Sequence, residues 1–255
     1  MSNRFSDYDG FARAYNRHWG PKAGDTQLPV LHDLLLPRLP AKAAILDLCC
    51  GSGHLAHLLT VEGYDVTGLD GSQELLNLAR RNAPQAAFVL ADARSFTLPA
   101  RYDAAVCMAD SLNHLLAVAE LVGVFQNVFS ALREGGFFLF DLNTEHKYVT
   151  TWPGQFAMVE DDSVCVVRAS YAPGTKVARF DATLFEKEPE WRRSDVALFQ
   201  TWYPEPEVRS ALQGVGFVVL ATRFSDPKAD NADKVYFLCH KPFSRVPAAA
   251  PVSSG

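Results

Sequence analysis

The stretch Ala44-Ile45-Leu46-Asp47-Leu48-Cys49-Cys50-Gly51-Ser52-Gly53-His54 decides the fold of this chain. It opens with an apolar run of the length of a buried strand, and two glycines follow soon after. Glycines at such a point let the backbone turn tightly and approach a ligand, and a helix that begins after them directs its N-terminal amide groups at that ligand. The stretch therefore predicts a strand, a ligand-binding turn and a helix.

Further apolar runs follow at regular intervals, and helical patterns separate them. The runs are Tyr64–Leu69, Ala87–Leu90, Ala104–Met108 and Phe137–Phe140. Before the last of them, apolar residues recur at the spacing of one helix face, at Leu121, Val124, Phe125, Val128, Phe129 and Leu132. Strands that are apolar on both faces and alternate with helices indicate a sheet with helices on both sides. We expect an α/β fold with a doubly wound, mostly parallel sheet.

The pattern changes after Leu142, where extended segments at 163–168 and 177–185 flank the turn signal Ala172-Pro173-Gly174-Thr175. Residues 217–224 and 234–238 then predict two closing strands that pair antiparallel. We expect an N-terminal helical arm or lid at 1–40, a core at 41–145 and 204–243, an inserted antiparallel β lobe at 146–203, and a flexible tail at 244–255. The lobe would cap the substrate or contact another subunit.

Composition and charge exclude several classes of protein. The chain has 255 residues, of which 48% are hydrophobic and 17 are Phe, so global disorder is excluded. No apolar window approaches the roughly 18 residues of a membrane span, and no secretion signal opens the sequence, so we expect a cytoplasmic protein with no membrane partner. A net charge of −5 with scattered Lys and Arg argues against a nucleic-acid partner. Five cysteines without a C-x-x-C pair predict reduced, buried thiols and no metal site.

Acidic residues lie at the ends of the first three strands. Asp47 precedes the glycines, Asp70 ends the second strand and Asp92 ends the third. A carboxylate at Asp70 can accept both hydroxyls of a ribose, and one at Asp92 can accept an adenine amino group. The spacing Gly51-x-Gly53-x-x-Ala56 by itself also fits a nicotinamide dinucleotide site, so a nicotinamide-dependent oxidoreductase is an alternative. Asp47 and Asp92 argue against that alternative.

Over nearly its whole length the chain resembles the class I S-adenosylmethionine-dependent methyltransferases. The resemblance implies a seven-stranded Rossmann-like sheet with an antiparallel last strand. It also implies that the glycine turn cradles the methionine part of S-adenosylmethionine and that Asp70 and Asp92 bind its ribose and adenine. The segment 102–115 is similar to the fourth-strand motif of the family, which lines the cofactor and opens towards the substrate. His54 departs from the family, which commonly has a third glycine at this position.

A narrower group of motifs resembles the glycine N-methyltransferase-like small-molecule enzymes. The motifs lie at 134–136, 140–143 and 202–204, and in the N-terminal pattern Tyr8-Asp9-x-Phe11-Ala12-x-x-Tyr15-Asn16. They imply substrate contacts at Asn143 and Tyr203 and a cofactor lid at Tyr8, Tyr15 or Trp19. An amphipathic helix that packs its rings into the core would explain the arm equally well. The cofactor-binding residues that the two resemblances imply are Asp47, Gly51, Gly53, Asp70, Asp92, Ala93, Met108, Asp110 and Tyr15.

The expected reaction is methyl transfer from S-adenosylmethionine to a small molecule, first to an amine nitrogen and next to a hydroxyl oxygen. An amine with a pKa of about 10.4 must lose its proton, which costs roughly 4–5 kcal/mol at pH 7. His114, which follows the fourth strand, is the candidate catalytic residue for this step. Bulk water could also accept the proton, and His114 could equally cap or pack the next helix.

Three further points stay open in the sequence. Arg168 or Arg179 in the lobe would pair with a carboxylate on the substrate, although a solvated strand face explains both arginines equally well. A cofactor-binding but inactive partner subunit is a second alternative to the enzyme. The exposed edges of a β lobe would also permit a homo-oligomer.

Overall fold

The computed structural model of the chain describes residues 6–187, 189–225 and 232–244. Residues 245–255 of the expected tail lie outside the described residues. The strands are β1 (Ala44–Leu48), β2 (Asp65–Asp70), β3 (Ala87–Leu90), β4 (Tyr102–Cys107), β5 (Leu132–Asn143), β6 (Gly154–Val159), β7 (Ser163–Ala172), β8 (Val177–Lys187), β9 (Trp191–Gln200), β10 (Val218–Phe224) and β11 (Lys234–His240). The helices are α1 (Ala12–His18), α2 (Ala23–Thr26), α3 (Leu28–Leu34), α4 (His54–Val61), α5 (Gln73–Asn82), α6 (Val118–Ala131), α7 (Glu145–Thr150) and α8 (Glu205–Val215).

The main sheet has seven strands in the order β10-β11-β5-β4-β1-β2-β3. The first five strands of the chain pair in parallel. β11 is antiparallel to both of its neighbours, β5 and β10. The expected doubly wound, mostly parallel sheet with an antiparallel last strand is therefore confirmed. Its carboxyl-terminal edge brings together the ends of β1, β2, β4 and β5, and this is where ligands bind in open α/β sheets.

Two apolar cores lie on opposite faces of this sheet. Leu46 and Leu48 belong to the core that packs under α6 and α8, and Ile45 belongs to the core under α3 and α4, because successive side chains of a strand point to opposite faces. On the apolar stripe of α6, Leu121, Val124, Phe125 and Val128 are fully buried, and Phe129 is partly buried. Strong burial on both faces fixes the position of the strand ends that carry the site.

A second sheet of four antiparallel strands, in the order β6-β7-β8-β9, forms the expected β lobe. One face of the lobe packs on the N-terminal arm, where Phe11 and Ala14 contact a cluster that includes Val167 and Leu184. The arm therefore lies between the lobe and the main sheet. The short helix α7 precedes the lobe, largely within the segment 146–203 that we expected to form β structure.

None of the helices in the described ranges combines the length and the apolar character that a membrane crossing requires.

Candidate active site

The turn between β1 and α4 depends on its glycines. Gly51 and Gly53 have φ angles of +56° and +77°, in the left-handed region that disfavours residues with a side chain. A Cβ atom at Gly51 would lie 2.9 Å from the ring of Tyr15, and one at Gly53 would lie 2.9 Å from the Cβ of Ala79 on α5. The backbone of the turn therefore packs closely against Tyr15 of the arm and against Ala79 of α5.

Two buried carboxyl groups lie beneath this turn. Asp70 Oδ2 accepts a hydrogen bond from the Gly51 amide and Oδ1 accepts one from the Ser72 amide, each at 2.8 Å. Asp47 Oδ2 is buried and has no hydrogen-bond partner among the described residues. Burial raises the pKa of Asp47 to about 8, and the nearby Asp70 adds to this effect. Burial also raises the pKa of Asp70 to about 6, although its backbone hydrogen bonds oppose the shift.

The N-terminal arm covers the turn and is attached to α5. Asp9 Oδ1 accepts a hydrogen bond of 2.6 Å from the Ser72 hydroxyl, and Asn16 Oδ1 accepts one of 2.7 Å from Asn82 Nδ2. These bonds place Tyr15 over Gly51. The arm therefore forms one wall of the site.

A cavity of about 640 Å³ opens beside the turn, between the arm, the ends of β4 and β5, α7 and the lobe. It adjoins a much smaller cavity at the glycine turn, since Tyr15, Gln27, Met108 and Ala109 line both. Aromatic rings form much of its wall, at Tyr8, Phe11, Trp19, Trp152, Phe156 and Phe180. Six of its polar residues form one hydrogen-bonded group, the floor of the cavity: Asp110, His114, Asp141, Asn143, Gln200 and Lys234. Other polar residues line the remaining walls, at Lys22, Thr26, Gln27, Lys147 and Thr151.

The imidazole of His114 has a defined orientation on this floor. Its Nδ1 lies 2.8 Å from the carbonyl oxygen of Phe199, and its Nε2 lies 2.9 Å from the hydroxyl of Tyr8 and 3.0 Å from Nε2 of Gln200. Because a carbonyl only accepts, Nδ1 carries the proton and Nε2 is the acceptor. Burial lowers the pKa of His114 and outweighs the opposing effects of Asp110 and the Phe199 carbonyl. His114 is therefore neutral at pH 7, with a basic nitrogen on the cavity.

A buried ion triad lies next to His114. Lys234 Nζ lies 2.8 Å from Asp110 Oδ1 and 2.5 Å from Asp141 Oδ2. Ala109 and Asp110 both have left-handed backbones, with φ of +60° and +52°, and the Asp110 amide donates to Asp141 Oδ2 at 3.0 Å. Although burial opposes ionisation, Lys234 and the amide of Gln200 lower the pKa of Asp110. Burial raises the pKa of Asp141 and Lys234 offsets only part of that shift.

Comparisons with known proteins agree with this architecture. Residues 45–136 match the family model described as a methyltransferase domain. YqeM of Bacillus subtilis (strain 168) is 27% identical over 243 residues, which are 92% of this chain and 97% of that one. A dTDP-3-amino-3,4,6-trideoxy-alpha-D-glucopyranose N,N-dimethyltransferase of Streptomyces venezuelae is 32% identical over 130 residues, 51% of this chain and 52% of that one. The structure of SAM-bound CalS10, an amino pentose methyltransferase from Micromonospora echinaspora, has a TM-score of 0.67 and 20% identity, covering 93% of this chain and 97% of that one.

The chain is an S-adenosylmethionine-dependent methyltransferase. The glycine turn of this methyltransferase fits the groups that S-adenosylmethionine carries. The unpartnered oxygen of Asp47 suits the ammonium group of the methionine part, and the buried carboxylate of Asp70 suits the ribose hydroxyls. Gly51 lets the Tyr15 ring approach the backbone of the turn, where a side chain at position 51 would collide with it. These are the residues that we expect to hold the cofactor.

Asp92 and Ala93 of the methyltransferase lie apart from both cavities. Asp92 follows β3 and forms an ion pair of 2.7 Å with Arg94, which also pairs with Glu120. Burial raises the pKa of Asp92, but its hydrogen bonds with Arg94 lower it by more. The carbonyl of Ala93 accepts a hydrogen bond from Asn127 at 3.1 Å. An adenine-binding role for Asp92 and Ala93 therefore stays a prediction, and it would require Asp92 to share its oxygens with Arg94.

The structure separates the two predicted substrate contacts. Asn143 lies at the end of β5 and lines the cavity. Tyr203 packs in the apolar core under α6 and α8 and donates its hydroxyl to the carbonyl of Leu115 at 2.6 Å, and it does not line the cavity. Its hydrogen bond positions the segment after His114 rather than reaching a ligand. In the lobe, Arg179 is exposed and pairs with Asp181.

The sequence analysis missed three residues of the cavity floor. Asp141 directly follows the apolar run 137–140, Gln200 ends β9, and Lys234 begins β11. An aspartate after an apolar run is a usable signal, of the same kind that identified Asp70. Nothing local in the sequence distinguishes Gln200 or Lys234, because only the fold brings them to Asp110.

Proposed function

We propose that this methyltransferase methylates an amine nitrogen of a small molecule and that His114 accepts the proton of the amine. The carrying observation is the orientation of His114, whose Nδ1 donates to the Phe199 carbonyl and whose Nε2 accepts from the Tyr8 hydroxyl at the cavity, so that an amine that displaces this hydroxyl meets an unprotonated ring nitrogen. S-adenosylmethionine supplies, when bound, a methyl group on a positively charged sulfonium. The acceptor nitrogen must therefore present a free lone pair towards the glycine turn.

The charge of the floor supports an amine. Asp110 and Asp141 carry two carboxyl groups against the single ammonium of Lys234. A protonated amine that enters the cavity is attracted to this floor, and it would then lose a proton to the neutral His114. The Streptomyces venezuelae relative is named for an N,N-dimethylation of an amino sugar, which also supports a nitrogen acceptor.

The remaining walls support the same reaction by excluding water. Tyr8, Phe11 and Trp19 of the arm and Phe180 of the lobe surround the cavity with rings. A water-poor cavity strengthens the interaction of the amine with the floor and holds the acceptor in one orientation. Such positioning contributes up to roughly 7–11 kcal/mol to reactions of this kind.

The first test is calorimetric titration of the chain with S-adenosylhomocysteine, beside Asp70→Ala and Asp92→Ala. Micromolar binding that is lost in Asp70→Ala supports the cofactor role of the glycine turn. Retained binding in Asp92→Ala would remove that residue from the set. The wild-type chain is then screened with S-adenosylmethionine against matched primary amines and phenols.

The second test separates the base from the binding site. We expect His114→Ala to lower the turnover of amines by about 10²- to 10⁴-fold and to leave the affinity for S-adenosylhomocysteine unchanged. His32→Ala is the control, because His32 is exposed on α3 and pairs only with Glu62 in the described structure. Full activity in His114→Ala would refute the role of His114 as the base. Turnover of phenols but of none of the amines would refute the proposal that the methyl acceptor is an amine nitrogen.

A further inference from the structure

Two oxygen atoms on the cavity floor have no hydrogen-bond partner within the described residues. They are Oδ1 of Asp141 and Oδ1 of Asn143. The two residues are 1% and 2% exposed, and both line the cavity. They are separated by one position on β5 and so point to the same face of the strand. Buried acceptors without partners are rare in native proteins, and this pair indicates a ligand that supplies two donors.

Neighbouring groups fix which atoms are free. Asp141 Oδ2 is occupied by Lys234 and by the Asp110 amide, so only Oδ1 is left. The amide nitrogen of Asn143 faces the Tyr148 hydroxyl at 3.4 Å and Gln200 Oε1 at 3.5 Å. The Tyr148 hydroxyl donates to Gln200 at 2.8 Å and therefore has no proton to give to Asn143. The floor thus presents acceptors and not donors at these two positions.

We propose that the floor selects a primary amine and that methylation stops after one methyl group. This inference rests on the proposed function. A primary ammonium group has three N–H bonds. His114 Nε2 takes one proton when the amine displaces the Tyr8 hydroxyl from it. The two N–H bonds of the neutral amine then meet the two unpartnered oxygens, Asp141 Oδ1 and Asn143 Oδ1, and inversion at the nitrogen turns its lone pair towards the methyl group of the cofactor.

The amine lone pair forms the new N–C bond while the electron pair of the broken C–S bond stays on sulfur, so a neutral amine and a sulfonium become a methylammonium and a thioether. The nitrogen of the product has lost one N–H bond to a methyl group. In a second round one floor acceptor would have no partner and would face a methyl group, which disfavours binding of the secondary amine. The Streptomyces venezuelae relative, by contrast, is named for an N,N-dimethylation, which takes two methyl transfers.

The test uses benzylamine, N-methylbenzylamine and N,N-dimethylbenzylamine, titrated into the full chain saturated with S-adenosylhomocysteine at pH 7. All three probes are cations of similar shape that differ in their number of N–H bonds. We expect each added methyl group to weaken binding by about tenfold or more. Equal affinities, or tighter binding of the methylated amines, would overturn the proposal.

Variants at Asn143 assign the preference to its oxygen. Asn143→Leu keeps the size of the side chain without the acceptor, and it should reduce the difference between benzylamine and N-methylbenzylamine to less than about threefold. Asn143→Asp keeps an acceptor and should restore the preference. Asn77→Leu, on the exposed face of α5, is the matched control. A preference that survives in Asn143→Leu would overturn the role of this oxygen.

Mass spectrometry of the product gives an independent readout. With S-adenosylmethionine and benzylamine, the wild-type chain should add one methyl group and Asn143→Leu should add two. A dimethylated product from the wild-type chain at a rate close to that of the first transfer would overturn the inference. If the chain binds S-adenosylhomocysteine but none of the three amines, the proposed function fails with it. If the amines bind without the expected order, only the inference fails.

Discussion

Binding of the cofactor product should expel a proton from Asp47. Burial and the neighbouring Asp70 raise the pKa of Asp47 to about 8, so its carboxyl group is mostly neutral at pH 7 in the free protein. In the part of the chain that the structure describes, its oxygen Oδ2 has no hydrogen-bond partner. An ammonium group placed beside it would favour the ionised form and lower the pKa again. S-adenosylhomocysteine carries such a group, and its binding should therefore release the proton of Asp47.

The size of the release follows from the pKa of the carboxyl group. With a pKa of about 8, roughly 0.9 of Asp47 is protonated at pH 7 and roughly 0.1 at pH 9. About 0.9 proton per bound ligand should thus appear at pH 7, falling to about 0.1 at pH 9. The pKa of Asp70 is about 6, so this residue adds only about 0.1 proton at pH 7.

The assay is isothermal titration calorimetry at one pH in buffers of different ionisation enthalpy, such as phosphate and Tris. The slope of the observed enthalpy against the ionisation enthalpy of the buffer gives the number of protons released. 5′-Methylthioadenosine is the matched control ligand, because it keeps the ribose and adenine and lacks the ammonium group. Asp47→Asn is the matched variant, since its side chain has a similar shape and no proton to lose.

A buffer-independent enthalpy for S-adenosylhomocysteine at pH 7 would refute the reasoning. So would an equal proton release on binding of 5′-methylthioadenosine, since the ammonium group could not then be the cause. A release that persists in Asp47→Asn would assign the proton to another residue. Each result is read from binding alone and does not depend on knowing the methyl acceptor.

Two further predictions concern the same turn. The fold raises the pKa of Asp47 above its ordinary value of 3.8, so the contribution of this group to the free energy of unfolding falls as the pH rises from about 4 to about 8. Asp47→Asn should therefore stabilise the free protein by up to about 4 kcal/mol at pH 7 and by little at pH 4. Urea denaturation at the two pH values measures this, and an equal difference at both would contradict it. Gly51→Ala should weaken binding of S-adenosylhomocysteine at least about tenfold, because its Cβ meets the Tyr15 ring at 2.9 Å. Gly63→Ala is the control, because Gly63 has a φ of +91° and open space around the Cβ position. This variant should keep its affinity for S-adenosylhomocysteine. A similar loss of affinity in both variants would attribute the effect to backbone strain and not to the Tyr15 contact.

The glycine turn could be predicted from sequence because its determinants are local. The apolar run of β1, the glycines and the acidic strand ends lie within about 50 residues, and parallel strands necessarily bring their carboxyl ends to one edge of the sheet. The same argument places Asp70 beside Gly51, where the structure has a 2.8 Å hydrogen bond. Local patterning also predicted the antiparallel lobe, because its strands alternate and a Pro-Gly turn joins two of them.

Other features depend on partners that no local pattern reveals. The motif at 202–204 suggested a substrate contact for Tyr203, but the hydroxyl of this residue is taken by the carbonyl of Leu115, far away in the chain. Asp92, which the spacing assigned to adenine, pairs with Arg94, and Arg94 also reaches Glu120 on α6, 26 residues further along the chain. The helix α7 is short, and its β-branched residues Val149 and Thr150 favour a strand in isolation. Tertiary contacts overrule that preference.

The orientation of His114 shows why acceptor chemistry is harder to predict than cofactor chemistry. Phe199 and Gln200, which contact its two ring nitrogens, both belong to β9 of the lobe, and Tyr8, which contacts Nε2, belongs to the arm. The tautomer of the proposed base is therefore fixed by parts of the chain more than 80 residues away on either side. A change in the lobe that moves β9 would alter the base while leaving the glycine turn intact. Cofactor binding and acceptor choice can thus vary independently in this fold, the first through local residues of the main sheet and the second through the arm and the lobe.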